Sequence, residues 1–346
     1  MRTKTYQTNY ADLVRLSPHG STWAWAMAGI GAIACIPLLL GSHGLNILST
    51  IFVMAIGILG LNLLTGVAGQ ISLGHAGFLL IGAYSQAILT TDYHLSTWLA
   101  IFLSGMFSAL ASLVVGVPSL RLKGLYLAIA TIAAGVLAHF IFSHYTSLTG
   151  GTGGLTLPPA QIFGLELDDS FKLYWVIVPI TALMLLGVAN LFRTRIGRAF
   201  IAIRDRDISA EVLGIPLLPY KLLSFAISSF YAGVAGGMFA YFFRAVTPES
   251  FPLLMSIFFL ASVIVGGMGS VLGSILGAVF MTLVPEVLKL VVGWLPLGDN
   301  AMLVLSPVRT IVFGLMIVLF LIFEPHGLAE VWRRVRRFFH LWPFKT

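Results

Sequence analysis

The 346-residue chain is 58% hydrophobic and 10% charged, with a mean hydropathy of +0.97. Soluble domains carry about 25% charged residues, so a water-soluble enzyme is excluded, and the net charge of +7 need not signal a nucleic-acid partner. A single cysteine, Cys35, leaves no intrachain disulfide and no thiolate metal site.

Apolar runs of membrane-spanning length recur along the whole chain, and hydrocarbon admits only helices or closed barrels. No period-2 alternation accompanies these runs, so a barrel is excluded and the expected fold is an all-α, polytopic helical bundle. Ten spans are expected, at 23–41, 46–65, 72–90, 97–117, 125–143, 173–192, 222–243, 253–270, 272–292 and 306–323. They make a transmembrane domain over 23–323, preceded by a polar leader at 1–22 and followed by a basic aromatic tail at 324–346. The first run starts too late and runs too long for a cleaved signal peptide.

Placing the N-terminus in the cytoplasm puts 16 of the 20 Lys and Arg on that side. Only Lys172, Arg244, Lys289 and Arg309 fall outside. The asymmetry follows the positive-inside rule and predicts both termini in the cytoplasm of a multi-pass inner-membrane protein.

The stretch 60–83, GLNLLTGVAGQISLGHAGFLLIGA, interrupts two apolar spans with glycines and hydrogen-bonding side chains. A break at Gly66–Gly69 would present backbone N–H groups at the start of the next span, a partial positive site suited to a carboxylate. Asn62, Thr65, Gly66, Gly69, Gln70, Ser72 and His75 are therefore the candidate substrate-pathway residues. The alternative use of such residues is close helix packing, with hydroxyls as interhelical glue. Thr131 and His139 are further polar positions at span depth. Ser72 and His75 could touch, but no carboxylate stands nearby to orient the histidine, so catalysis is not expected.

Two loops are long. The outer one, 143–172, carries GGTGG, Pro158-Pro159 and the acidic Glu166, Asp168 and Asp169, and reads as a flexible loop or a cover over the pathway. The inner one, 193–221, reads RTRIGRAFIAIRDRDISAEVLGIPLLPYK. Ile196, Phe200, Ile203, Ile208 and Val212 can share one helical stripe that Gly214 and Pro216 end, as a short helix docking into a partner would require. The tail from Trp332 alternates Arg with aromatics, in the manner of an interfacial helix. The glycine pairs 66/69 and 266/269 look alike, although no convincing internal repeat accompanies them.

No GxxxxGK[ST] phosphate loop occurs, so the chain is not its own ATPase, and neither HExxH nor GxSxG is present. All 13 acidic residues fall in loops or near span ends, Glu286 pairing with Lys289 and Glu324 closing the last span. An ion-coupled carrier or stand-alone channel, which commonly needs carboxylates at bilayer depth, is disfavoured.

Four segments together resemble LivM-type permeases, membrane subunits of the branched-chain (hydrophobic) amino acid ABC importers of bacteria. They are GLNLLTGVAGQISLGHAGF at 60–78, GGTGGL at 150–155, RTRIGRAFIAIRDRDISAEVLGI at 193–215 and TPESFPLLMSIFFLASVIVGGMGSVLGSILGA at 247–278. The resemblance covers nearly all of 45–328. It implies a heterodimer with a LivH-like permease, two cytoplasmic ATP-binding subunits that bind the ATP, and a periplasmic solute-binding protein. No cofactor is expected in this chain. The inner loop then corresponds to the coupling segment, with Arg204, Asp207, Ala210, Glu211 and Gly214 as its candidate residues. Such permeases often carry EAA three residues before a glycine; Ile208-Ser209-Ala210 stands there instead, leaving Asp207 or Glu211 to serve as the acid. Related permeases carry urea, short amides or aromatic acids, the alternative cargo.

Overall fold

The computed structural model describes residues 36–37, 40–119, 122, 124–159, 161–162, 165–166, 169–293, 301–324 and 327–341. The leader at 1–22, most of the expected first span with Cys35, Arg121, Lys123, Asp168 and the last five residues lie outside them.

Twelve helices carry the described chain. They are α1 (Ser42–Asn62), α2 (His75–Thr91), α3 (Thr97–Ser119), α4 (Leu125–His144), α5 (Ser170–Leu191), α6 (Arg195–Asp205), α7 (Asp207–Val212), α8 (Leu217–Phe243), α9 (Leu253–Gly266), α10 (Val271–Gly293), α11 (Ala301–Phe323) and α12 (Leu328–Leu341). One-turn helices and two-residue strands join them. Among the described residues seven helices are long and apolar enough to cross a membrane, so the protein is a polytopic, multi-pass helical membrane protein. The expected third span is the 17-residue α2 and the tenth falls in α11; neither is among the seven.

Of the seven membrane-length helices α1 and α8 are the most buried, while α4 shows apolar residues such as Leu125, Ile129 and Leu137 on its exposed face. In water an exposed apolar face would be costly; against lipid tails it is at no disadvantage. Buried serines tie the helices instead. Ser108 Oγ donates to the Phe78 carbonyl at 3.0 Å and Ser104 Oγ to that of Gly233 at 3.2 Å. Glycines set the spacing: a Cβ at Gly60 would lie 2.6 Å from that of Tyr231.

Two helix junctions depart from regularity. α1 ends in a π-helical turn, Leu63–Val67, followed by non-helical backbone that re-enters the bundle before α2 starts at His75. Ser72, the first residue of the expected third span, therefore lies in the break, ahead of α2. α9 ends at Gly266 and α10 starts at Val271, with Gly267 and Gly269 at φ +118° and +76° making the turn.

The expected single stripe of 196–212 divides in two. Arg206 is fully extended (φ −156°, ψ 105°), and the chain changes direction there. Phe200 and Ile203 pack into the bundle from α6, whereas Ile208, Val212 and Leu213 stand 71–83% exposed on α7. Thr194 Oγ1 caps α6 by accepting from the Gly197 N–H. α7 ends in a Schellman motif: Gly214, at φ +85°, donates to the Glu211 carbonyl and Ile215 to that of Ala210. At the other end of the bundle, the GTGGL segment forms a cover stitched to the approach to α9. Leu155 pairs with Val246 and Thr156 with Ala245, and the Leu157 N–H reaches the Arg244 carbonyl at 2.9 Å.

Candidate functional site

The polar residues of the 60–83 stretch separate into a knot and a group packed behind the wall of a cavity. The knot lies at the α6 end. Asn62 is buried and uses its whole amide: Nδ2 donates to the Ser270 carbonyl (2.9 Å) and Ser274 Oγ (2.8 Å), with a longer contact to Gly267 O, and Oδ1 accepts from the Gly269 N–H at 2.7 Å. The π turn after Asn62 thus sits directly on the glycine turn after α9, and the two look-alike glycine pairs are in contact. A Cβ on Gly66 would strike Asn62 Oδ1 and the Gly269 nitrogen.

Arg204 closes the knot from α6. Its Nη1 donates to the Gly66 carbonyl at 2.9 Å, while Nε and Nη2 hold Asp205 Oδ1. Gly69, at φ +70°, lies against the Arg204 stem, where a Cβ would come within 2.8 Å of Cγ. The break then continues through Gln70, whose Nε2 donates to Ser224 Oγ at 2.6 Å, while Thr65 Oγ1 donates back to the Gln70 carbonyl. A cavity of about 260 Å³ opens beside it, lined by Gly69, Gln70, Arg204, Asp207 and Lys221 among others. Lys221 and Asp207 form a long ion pair of 3.9 Å across it.

The second group lies deeper. His75 Nε2 donates to the Gly57 carbonyl at 2.9 Å, and its ring packs on Phe259, with centroids 5.3 Å apart. A carbonyl can only accept, so the proton is on Nε2. Gly57 lies nine residues before Gly66, which puts the start of α2 about 13 Å from the knot at 1.5 Å per residue. Ser256, in the first turn of α9, is ten residues from Gly266, about 15 Å by the same measure. These first turns touch: the Ala76 N–H donates to Ser256 Oγ at 2.8 Å. α2 leads away from the knot and α9 leads toward it, so two short helices meet at their N-termini near mid-bundle, where both positive dipole ends converge.

A cavity of about 290 Å³ occupies this meeting point, walled by Leu73, Gly74, Ala76 and Gly77 of the break and α2, Gly135, Val136 and His139 of α4, and Phe251, Pro252, Leu253 and Ser256 at the start of α9. Its surface is almost wholly apolar; the polar side chains on it are His139 and Ser256. Chemically it suits a compact apolar group with a small polar head.

The substrate-pathway candidates stand around this cavity rather than on it. Asn62, Thr65, Gly66 and Gly69 belong to the knot, Gln70 to the α8 contact, and His75 to the α1–α9 packing. Among the described residues the buried Ser72 hydroxyl has no hydrogen-bond partner. The N–H groups expected to stand open at the break are partly used, since the Leu73 N–H donates to Thr131 Oγ1 at 3.0 Å. Sequence reasoning passed over Ser256 and the 267–270 turn; a lone serine within an otherwise apolar first turn was the available signal. Of the coupling candidates, Ala210 is buried and Glu211 exposed on α7, with Asp207 accepting from the Ile208 N–H. Among the described residues no group of His, Cys, Asp and Glu is placed to hold a metal ion.

Comparison with known proteins matches residues 44–321 to the family described as the permease component of branched-chain amino acid transport systems. The high-affinity branched-chain amino acid transport system permease protein LivM of Salmonella typhimurium is 34% identical over 321 residues, 86% of this chain and 72% of the relative. LivM of Escherichia coli is 35% identical over 299 residues, 80% of this chain and 67% of the relative. A probable permease protein LivH of Methanocaldococcus jannaschii is 24% identical over 293 residues, 81% and 89% of the two chains. No solved structure matches. The chain belongs to the family of permease components of branched-chain amino acid transport systems.

Proposed function

We propose that this chain is one membrane-spanning half of an ABC importer for branched-chain amino acids. Its partners are a LivH-like permease, two cytoplasmic ATP-binding subunits that hold the ATP, and a periplasmic solute-binding protein, assembled in the inner membrane. The observation that carries the reading is the 290 Å³ cavity where the N-termini of α2 and α9 converge. An aliphatic side chain fits its apolar wall, and a carboxylate is favoured by two helix N-termini without a buried cation. The relatives are named for branched-chain amino acids, which favours these over urea, amides or aromatic acids.

In this reading the exposed apolar tip of α7, Ile208, Val212 and Leu213, seats in a cleft of an ATP-binding subunit. ATP acts by binding more tightly to one of two arrangements of the complex, and the cavity faces the two membrane sides alternately. Asn62, Thr65, Gly66, Gly69, Gln70 and His75 serve by holding the walls, and Ser72 offers a hydroxyl beside the path. The test is leucine uptake by proteoliposomes containing the reconstituted complex. Uptake is expected only with the ATP-binding subunits and ATP present; uptake by this chain without them would overturn the reading.

A further inference from the structure

The knot has a mechanical property that neither of its sequence segments has alone. Both short helices bordering the cavity are rooted in it. α2 is reached from Gly66 through seven residues of non-helical backbone, 68–74, and α9 ends in it at Gly266, one residue before the 267–270 turn. Arg204 is the side chain of the 193–221 loop that the hydrogen bonds connect to this point: Nη1 lies 2.9 Å from the Gly66 carbonyl, and a Cβ on Gly269 would come within 3.5 Å of the same atom. Asn62 makes the two roots one body through its bonds to Gly269, Ser270 and Ser274.

We propose that Arg204 is the positioning residue through which movement of α7 reaches both cavity-lining helices at once, by its hydrogen bond to the Gly66 carbonyl. This rests on the importer reading and names the link within it. The guanidinium suits the task. It is always charged, and its planar fork holds Asp205 with one edge while Nη1 reaches the carbonyl, so the side chain is braced rather than swinging. Asp205 closes α6, and Arg206, extended, passes the displacement on to α7. The carbonyl of Gly66 is open to such a donor because the π turn and the break after it leave helix-end carbonyls without intrahelical partners. Moving α2 alone or α9 alone would separate Ala76 from Ser256. Moving their common root carries the two first turns together and redirects the cavity without tearing its wall.

The test compares Arg204→Gln, Arg204→Lys and wild type in the full complex. Arg204→Gln is expected to lower the leucine moved per ATP hydrolysed about tenfold, the scale of one charged hydrogen bond. The KM for leucine and the amount of assembled complex should be unchanged. Arg204→Lys, which keeps a charged donor, should recover most of the ratio. A ratio unchanged in Arg204→Gln overturns the proposal, as does a loss that follows the amount of complex, or a lysine variant no better than glutamine.

Hydrogen exchange gives a second measurement. On adding ATP to the wild-type complex, 66–74 and 266–270 should change protection together with 207–213; in Arg204→Gln only 207–213 should respond. A response of 66–74 and 266–270 independent of Arg204 overturns the link. No response at 207–213 in wild type sinks the importer reading, and this inference with it.

Discussion

The knot and the cavity are about 15 Å apart along the same helices, yet they are built on opposite rules. At the knot every polar atom of Asn62 is used, glycines let backbones touch, and an arginine crosses the seam. At the cavity the same two segments separate, the wall is apolar, and a hydrogen bond from Ala76 to Ser256 joins the helix starts. The two regions divide the labour. A transporter needs one place that transmits displacement without loss and another that can change shape cheaply, and it puts its directional bonds at the first.

The sharpest way to break this contrast is Asn62→Leu. It strands the Gly269 N–H in a buried seam and removes the amide's bonds to Ser270 and Ser274, and a loss of about 3 kcal/mol is expected. Thermal unfolding of the purified protein in detergent measures it; a loss below about 1 kcal/mol would mean the knot is not held this way.

Ser256→Ala removes the bond that joins the helix starts at the cavity and should cost about 1.5 kcal/mol in the same assay. A cost equal to that of Asn62→Leu would erase the distinction between the two regions.

Gly135→Val should cost about 0.5 kcal/mol or less, because a Cβ there meets its nearest neighbour, the Gly74 Cα, at an ordinary 3.4 Å. It places two methyl groups at the cavity wall, so leucine uptake should fall about tenfold with assembly retained. Normal uptake would show that this space is not on the route.

Val212→Asp should leave stability unchanged, since the side chain is 83% exposed, and should reduce the ATP-binding subunits recovered with the permease in detergent. Full recovery would remove α7 as the docking element.

The bundle was legible because apolar run length is a direct requirement of the bilayer. The break was legible too, since Gly66 and Gly69 among Asn62, Gln70 and His75 contradict an uninterrupted span. What the break is for was not: Gly66 meets Arg204 from 138 residues away and Asn62 meets Gly269 from 207, and periodicity carries no information at such separations. The look-alike pairs 66/69 and 266/269 held the clue, but a resemblance between glycines says nothing about contact. The inner loop failed differently. The 3.6-residue spacing of Ile196, Phe200, Ile203, Ile208 and Val212 continues across Arg206, so pattern alone reads one helix. One extended residue turns half of that stripe outward, and the acid sites Asp207 and Glu211 then share the short α7 rather than one long face.

The start of α12 has a use for anyone following this protein in motion. Gly327 sits on the 267 turn, where a Cβ would come within 2.6 Å of the Gly267 Cα, and Arg334 grips Glu324 through both nitrogens. The tail is thus fastened to the knot like a pointer on a shaft. Trp332, 56% exposed five residues beyond Gly327, becomes an optical reporter on that pointer once the other six tryptophans are replaced, readable without labelling the transport path.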